Sequence, residues 1–272
     1  MHIEAPRELL LELTRKYQGE RDPNGRPHVS DDLLERLKPI STEEAWGVLR
    51  KHGYNLQFDG NWTEVHPGRI LVGRVVTAMM LPHRPDFHEL VEEQGKTDGR
   101  IGGQNSWVID TLELGDVMVV DMFGKVKDGT FVGDNLGTSV KTRTRAGAVM
   151  DCGVRDQRGL SQLDDVAFFC RGFHPSAIKD VTLAGINIPI RIGEVTVLPG
   201  DVVLGTPTGV TFIPAHLVQE VVERGEDIMR RDAFGHLRLR QKRYTPGEVD
   251  RAWSPEIEAD FQQWLVAGRP ED

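Results

Sequence analysis

Residues 115–159 read GDVMVVDMFGKVKDGTFVGDNLGTSVKTRTRAGAVMDCGVRDQRG, and the texture of this stretch decides the fold class. Four apolar residues, Val117, Met118, Val119 and Val120, follow Gly115-Asp116. The run is strand-length and β-branched, so 117–121 reads as a buried strand. A glycine-flanked turn, Gly133-Asp134-Asn135-Leu136-Gly137, leads into a stretch over 136–146 that reads as a helix. Residues 148–151 read as another short strand. Strands and a helix alternating within one segment point to an α/β core.

The same alternation extends outward. Upstream, 70–80 (ILVGRVVTAMM) is apolar and β-branched and reads as a strand. Residues 86–94 read as a short helix, and 105–114 as a helix ending at Gly115. Downstream, strands are expected over 166–170, 181–183, 188–197, 202–204 and 210–213. A helix over 214–231 opens on Pro214, a favoured first position, and 255–265 reads as a last helix. The first 60 residues read as helices and loops. Ser41-Thr42-Glu43-Glu44 has capping-box spacing, Ala45, Val48 and Leu49 share a helix face, and Gly53 is placed to end that helix. Helix–strand alternation followed by successive strands predicts a mixed sheet or two layered sheets. The core is expected over 68–230, with a helical N-terminal extension over 1–67 and a C-terminal arm over 231–272.

Composition narrows the function classes. The 272-residue chain is 39% hydrophobic and 28% charged, an ordinary globular balance. Its formal charge of −9 argues against nucleic acid as a partner, because phosphate backbones need a basic face. The one dense basic stretch, 236–243 (HLRLRQKR), reads as a solvated or inter-subunit segment. Two cysteines, Cys152 and Cys170, make no disulfide framework and suggest a reducing cytoplasm. The first 17 residues mix charges among apolar side chains, unlike a signal peptide. No run of 18 apolar residues exists, so no membrane span is expected. Gly-x-Ser-x-Gly, Walker A, Gly-x-Gly-x-x-Gly and His-Glu-x-x-His are all absent. His83 and His88 lie five apart, which does not place them on one helix face.

Two features carry chemistry. The turn at 133–137 sits just before a helix, where outward-facing N–H groups suit a carboxylate or phosphate. Arg155-Asp156 follows the strand at 148–151, and ligands of open α/β sheets gather at the carboxyl ends of strands. There the arginine can grip a carboxylate or enolate oxygen, and the aspartate can hold a hard cation. For an Arg-Asp dipeptide alone, a surface ion pair in a loop is the favoured reading.

The two features stand in a fixed relation, with twenty residues between Asp134 and Arg155 (155 − 134 − 1 = 20). In this spacing the chain resembles the RraA-like class II pyruvate aldolases, which carry an Asp, twenty residues, then Arg-Asp. Residues 115–121 (GDVMVVD), 147–156 (GAVMDCGVRD) and 197–203 (VLPGDVV) are similar to further strands of that family. The resemblance covers roughly 68–230. It implies a layered, swivelling β/β/α-type core. It also implies a lyase that cleaves or decarboxylates a small 2-oxo acid, such as 4-hydroxy-4-methyl-2-oxoglutarate or oxaloacetate, through a pyruvate enolate, with Mg²⁺ or Mn²⁺. Asp156 would ligate the cation and Asp134 would hold a water on it. Arg155 would bind the substrate oxygen and stabilise the enolate. Backbone amides of Gly133, Asp134, Asn135 and Leu136 would grip the pyruvyl carboxylate. An acid from a neighbouring subunit, for which Glu226 or Asp227 is the choice here, would complete the site in a homotrimer or homohexamer. His83, Arg84, Arg69 and Phe87 are candidates for the substrate's tail.

Two other readings compete. The family also holds regulators that bind and inhibit a ribonuclease; those lack the Arg-Asp pair kept here. A Schiff-base aldolase needs a desolvated lysine, whereas Lys125, Lys127, Lys141 and Lys179 sit among polar neighbours. The family's methyltransferase label finds no glycine-rich S-adenosylmethionine fingerprint.

Overall fold

The computed structural model describes residues 2–269, so residue 1 and residues 270–272 of the expected extensions lie outside the description. In chain order the elements are α1 (Arg7–Leu13), α2 (Asp31–Leu37), α3 (Thr42–Lys51), β1 (Phe58–Asp59), β2 (Thr63–Glu64), β3 (Leu71–Pro82), α4 (Pro85–Thr97) and α5 (Gln104–Asp110). Then follow β4 (Asp116–Thr130), α6 (Asp134–Thr144), β5 (Gly147–Val154), α7 (Gln157–Leu160), β6 (Ala167–Phe173), β7 (Val181–Ile186), β8 (Ile190–Ile192) and β9 (Val195–Val197). The chain continues with β10 (Val202–Thr206), β11 (Gly209–Ile213), a 3₁₀ turn (Ala215–Leu217), α8 (Val218–Arg240), α9 (Pro246–Val249) and α10 (Pro255–Val266).

Nine strands form one mixed sheet in the order β1-β11-β10-β3-β4-β5-β6-β2, with β7 added antiparallel to β3. Pairings β3–β4, β4–β5 and β5–β6 are parallel. The two ends of this order, β1 and β2, are joined by residues 60–62 alone. Four residue steps reach at most about 14 Å, so the sheet must curl until its edges nearly meet. Arg171 on β6 bridges the seam. It binds Asp151 on β5 at 2.6 Å, Asp59 on β1 at 2.8 Å and the Gly60 carbonyl at 3.2 Å, and its guanidinium lies 3.7 Å over the Trp62 ring.

Period-two alternation divides the side chains between the two faces. Val117, Val119 and Val149 point into an inner cluster with Phe169, Val203 and Phe212. Met118, Val120, Ala148 and Met150 point outward into a second cluster, covered by Trp107, Val108 and Ile109 of α5 and Val140 of α6. Helices α2, α3 and α8 cover a third cluster over Val72, Val202, Leu204 and Ile213. Val218, Val221, Val222 and Gly225 form the buried stripe of α8. A fourth cluster, Phe234, Leu237, Ile257, Phe261 and Trp264, belongs to the far end of α8 and to α10.

Four expectations change. The segment over 1–67, expected to be helical, also supplies β1 and β2, which are only two residues each and so leave no periodicity to read. The strand expected over 117–121 runs on as β4 to Thr130. The strand expected over 188–197 is instead the hairpin β8–β9, turned at Gly193 with φ +57°. The helix expected to stop at 231 continues to Arg240, because Phe234 and Leu237 find their own partners in α10.

Candidate active site

The long β4 builds the site. Its register against β5 jumps from Asp121↔Asp151 to Lys125↔Cys152 and then to Thr130↔Gly153. Residues 122–124 and 126–129 therefore bulge out of the ladder on either side of Lys125, with positive φ at Phe123, Gly124 and Asp128. Phe131 rejoins β5 by donating its N–H to the Gly153 carbonyl at 3.0 Å, and Arg155 N–H donates to the Val132 carbonyl at 3.1 Å. This return lays residues 131–134 beside the carboxyl end of β5. The N-terminus of α6 and the Arg155-Asp156 pair are thereby brought together.

Gly133 is the N-cap of α6, with φ −115° and no side-chain cap. Its backbone is extended, so glycine is required here for space. A Cβ at this position would collide with Asp156 Oδ2 and sit 3.0 Å from Arg155 Nε. Asp134 N–H faces Asp156 Oδ2 at 3.4 Å, and Asn135 N–H donates to Asp134 Oδ1 at 2.8 Å. Arg155 Nε lies 3.4 Å from Asp156 Oδ2, with both side chains a little under half exposed. Asp156 itself holds φ +57°, a left-handed conformation uncommon for a side-chain-bearing residue.

These groups line a cavity of about 90 Å³ with Asn105, Thr130, Phe131, Leu136, Ala177 and Ile178. Every residue expected at the pyruvyl end, Gly133 through Leu136 with Arg155 and Asp156, is among its walls. Asn105, at the start of α5, was not anticipated; its Nδ2 donates to the Phe131 carbonyl at 2.8 Å. Nor were Ala177 and Ile178, whose loop closes the far side. Their neighbour Ser176 organises that loop: its Oγ accepts from Asp128 N–H at 2.7 Å, its hydroxyl donates to His174 Nδ1 at 2.8 Å, and its carbonyl accepts from Thr130 Oγ1. Only the mixed run after β6 hints at this role in the sequence.

Other candidates lie elsewhere. Glu226 pairs with Arg36 at 2.7 and 3.0 Å, and that guanidinium holds its carboxyl below the usual range. Asp227 pairs with Arg230 and Arg231. Neither lines the cavity within one chain. Arg69 holds the carbonyls of Leu163 and Val166, both at 2.9 Å, and lines a separate groove at the other end of the sheet. His83, Arg84 and Phe87 are also absent from the walls. The His83 and His88 rings lie 4.6 Å apart, with His88 Nδ1 on Thr182 Oγ1. No described lysine is buried, which removes the desolvated amine a Schiff base requires.

Among the described residues no three His, Cys, Asp or Glu side chains gather as a closed metal cage. The cavity offers the Asp134 and Asp156 carboxylates, both oxygen donors. That set fits a hard cation such as Mg²⁺ or Mn²⁺, which keeps several waters and needs only one or two protein carboxylates. Among the described residues, no helix is long and apolar enough to cross a membrane.

The family profile described as "Aldolase/RraA" (RraA-like) matches residues 27–212. A Halalkalibacterium halodurans protein named "Putative 4-hydroxy-4-methyl-2-oxoglutarate aldolase" is 36% identical over 112 residues, 41% of this chain and 52% of the relative. The match thus spans about half of that relative's length. Streptomyces coelicolor RraAS2, described as an unusual member of the RNase ES inhibitor RraA family, superposes with a TM-score of 0.64 at 25% identity, over 78% of this chain and 98% of its own. An uncharacterized protein from Pseudomonas syringae shares the fold at a TM-score of 0.66 and 20% identity, over 85% of this chain and 99% of its own. With a mixed α/β fold of this kind and the family profile matched from residue 27 to residue 212, the chain belongs to the RraA-like, or Aldolase/RraA, family.

Proposed function

We propose that this protein is a divalent-cation-dependent carbon–carbon lyase that cleaves or decarboxylates a small 2-oxo acid. The observation that carries this reading is the convergence of Arg155, Asp156 and the α6 N-terminus on one pyruvyl-sized cavity, with Gly133 keeping the space between them open. The first-turn N–H groups of α6 receive the substrate carboxylate, favoured by the helix dipole. Arg155 donates to the 2-oxo oxygen, where negative charge builds as the C3–C4 bond breaks. Asp134 would hold a water through which the 4-hydroxyl proton leaves, and the same proton can return to C3. In aldol cleavage the C3–C4 electron pair passes into the enolate and C4 leaves as a carbonyl. In oxaloacetate decarboxylation the C4 carboxylate leaves as CO₂, and C3 then takes a proton. Asp156, with Asp134 beside it, would hold Mg²⁺ or Mn²⁺, whose Lewis acidity neutralises charge on the 2-oxo oxygen.

The test is pyruvate formation from oxaloacetate and from 4-hydroxy-4-methyl-2-oxoglutarate. We expect turnover with Mg²⁺ or Mn²⁺, loss after exhaustive chelation, return on adding the cation, and near-complete loss in Asp156→Ala. Full activity after chelation would overturn the cation requirement, and no pyruvate from any 2-oxo acid would overturn the lyase. The likeness to RraAS2 favours a second reading, a regulator that binds a ribonuclease. Saturable inhibition of a ribonuclease by a chain without lyase activity would select it.

A further inference from the structure

We propose that His66, outside the cavity, is a positioning residue that fixes the spacing of Asp134 and Asp156 by anchoring α7. This rests on the lyase reading for its consequence, although the anchoring itself is a property of the chain. Asp156 is the N-cap of α7, a helix of four residues. One turn of helix is not stable alone, since nucleation fixes several dihedrals for a single hydrogen bond. Tertiary contacts must hold it, and the structure shows which ones.

On one side α7 is pressed against α6. A Cβ at Gly137 would collide with Leu160 Cδ2, and a Cβ at Gly159 would lie 2.8 Å from Asp134 Cβ. Two glycines therefore let α6 and α7 approach at the level of the acids. On the other side, His66 Nε2 lies 2.9 Å from the Leu160 carbonyl, and Leu160 N–H donates to the Asp156 carbonyl at 3.0 Å. Since a carbonyl only accepts, Nε2 carries the hydrogen. A two-bond relay thus runs from His66 through Leu160 to the backbone of Asp156. Arg69, three residues on, secures the exit of the same segment at Leu163 and Val166.

His66 is 5% exposed, and its Nδ1 has no hydrogen-bond partner. The neutral ring leaves one lone pair unmatched; the cation would bury a charge. Burial and Arg69 disfavour the cation and outweigh the facing carbonyls, which favour it. Arg69 is positive, β6 contributes the Phe168 ring at 5.7 Å, and the α7 segment offers only the carbonyls of Leu160 and Leu163. Among the described residues no acid acts on the ring, and Glu64, two residues before it in the chain, accepts from Gly68 N–H. Burial, with Arg69 adding to it, lowers the imidazole pKa. As pH falls below the ordinary imidazole value of about 6.5, the unfolded or detached ring binds a proton that the packed ring does not, so the anchor weakens in acid.

Two substitutions separate the roles. His66→Gln keeps an N–H donor near Nε2 but does not titrate; His66→Phe keeps an apolar ring against Phe168 and has no donor. Amide hydrogen exchange over 157–163 in the cation-free protein reads the anchor without any activity, and Mn²⁺ titration reads the acids. We expect His66→Phe to lower protection over 157–163 and Mn²⁺ affinity by about tenfold each, the worth of one buried hydrogen bond. His66→Gln should stay within about threefold of wild type in both. Wild-type protection over 157–163 should fall between pH 7 and 5, while that of His66→Gln stays level. Unchanged protection in His66→Phe, or the same acid response in wild type and His66→Gln, overturns the inference. If His66→Phe does not fold, the comparison of wild type with His66→Gln still decides. If the anchor behaves as expected but no 2-oxo acid is turned over by wild type, the lyase reading fails and the anchoring stands.

Discussion

At position 133 any side chain larger than hydrogen would enter the space between Asp156 Oδ2 and Arg155 Nε. Because φ there is −115°, alanine would fit the backbone and miss only in the site. Gly133→Ala should therefore leave the melting temperature within about 2 °C, a surface-sized effect of ~0.5 kcal/mol, while lowering kcat/KM by about 10²-fold through displaced groups. Equal loss of stability and activity would contradict this. Arg155 faces a sharper test. If it stabilises the enolate, Arg155→Ala should lower kcat by roughly 10²–10³-fold and change KM less, because the charge develops in the transition state. Arg155→Lys should recover only part of this, having lost the planar fork. Aldol cleavage and decarboxylation should suffer in parallel; wild-type kcat in both would make Arg155 a mere ion-pair partner. At this scale Asp134, Arg155 and Asp156 were legible through the family-like spacing of twenty residues between Asp134 and Arg155, and the fold brings all three to one cavity. Asn105, Ala177 and Ile178 carry no such mark and reach the cavity only through the tertiary fold.

Elements were legible where they were periodic. The buried strands β3, β4, β5 and β10 show as apolar runs because both faces are covered. The extension of β4 after Asp121 was missed because only Lys125 and Thr130 of residues 122–130 stay paired with β5, and the polar stretch KVKDG at 125–129 faces solvent in part. The closing strands β1 and β2 were missed because two residues cannot show a period, and the seam is held by side chains instead. Asp201, just before β10, shows what burial costs such a fold. Its Oδ2 accepts from Leu198 N–H at 2.9 Å, and desolvation raises its pKa to about 8. The unfolded carboxylate gives up its proton near 3.9, so between these values the native state holds a proton the unfolded state lacks. The stabilising contribution is thus complete below the unfolded value and is lost as pH rises through the folded one. Thermal melts of wild type should decline between pH 4 and 8 by an amount that Asp201→Asn lacks; identical slopes would mean that Asp201 ionises normally. Arg26, 4% exposed, pairs with the buried Asp116 at 2.9 Å and ties the N-terminal segment to the start of β4. Arg26→Ala should destabilise by about 3–5 kcal/mol, because it strands a buried carboxylate. A denaturant midpoint unchanged from wild type would exclude that role.

On the scale of the molecule the open side of the cavity matters most. Arg155 and Asp156 are 45% and 43% exposed in a single chain. Charge stabilisation of an enolate is strongest where water is excluded, since the effective dielectric sets its size. One chain alone leaves the two charges of the proposed site nearly half in solvent. The far end of α8, beyond the Arg36–Glu226 pair, packs with α10 into its own small core and still presents Met229 and Val266 to solvent. An arm of this kind, on a chain whose site is open, is suited to cover a second copy. We therefore expect a homotrimer or homohexamer, with specific activity that falls on dilution as the assembly dissociates. Light scattering at assay concentration, paired with activity over a hundredfold dilution series, measures both. If the chain is a monomer with full, concentration-independent activity, then Arg155 and Asp156 work in their half-exposed state, and no neighbouring acid is needed to complete the site.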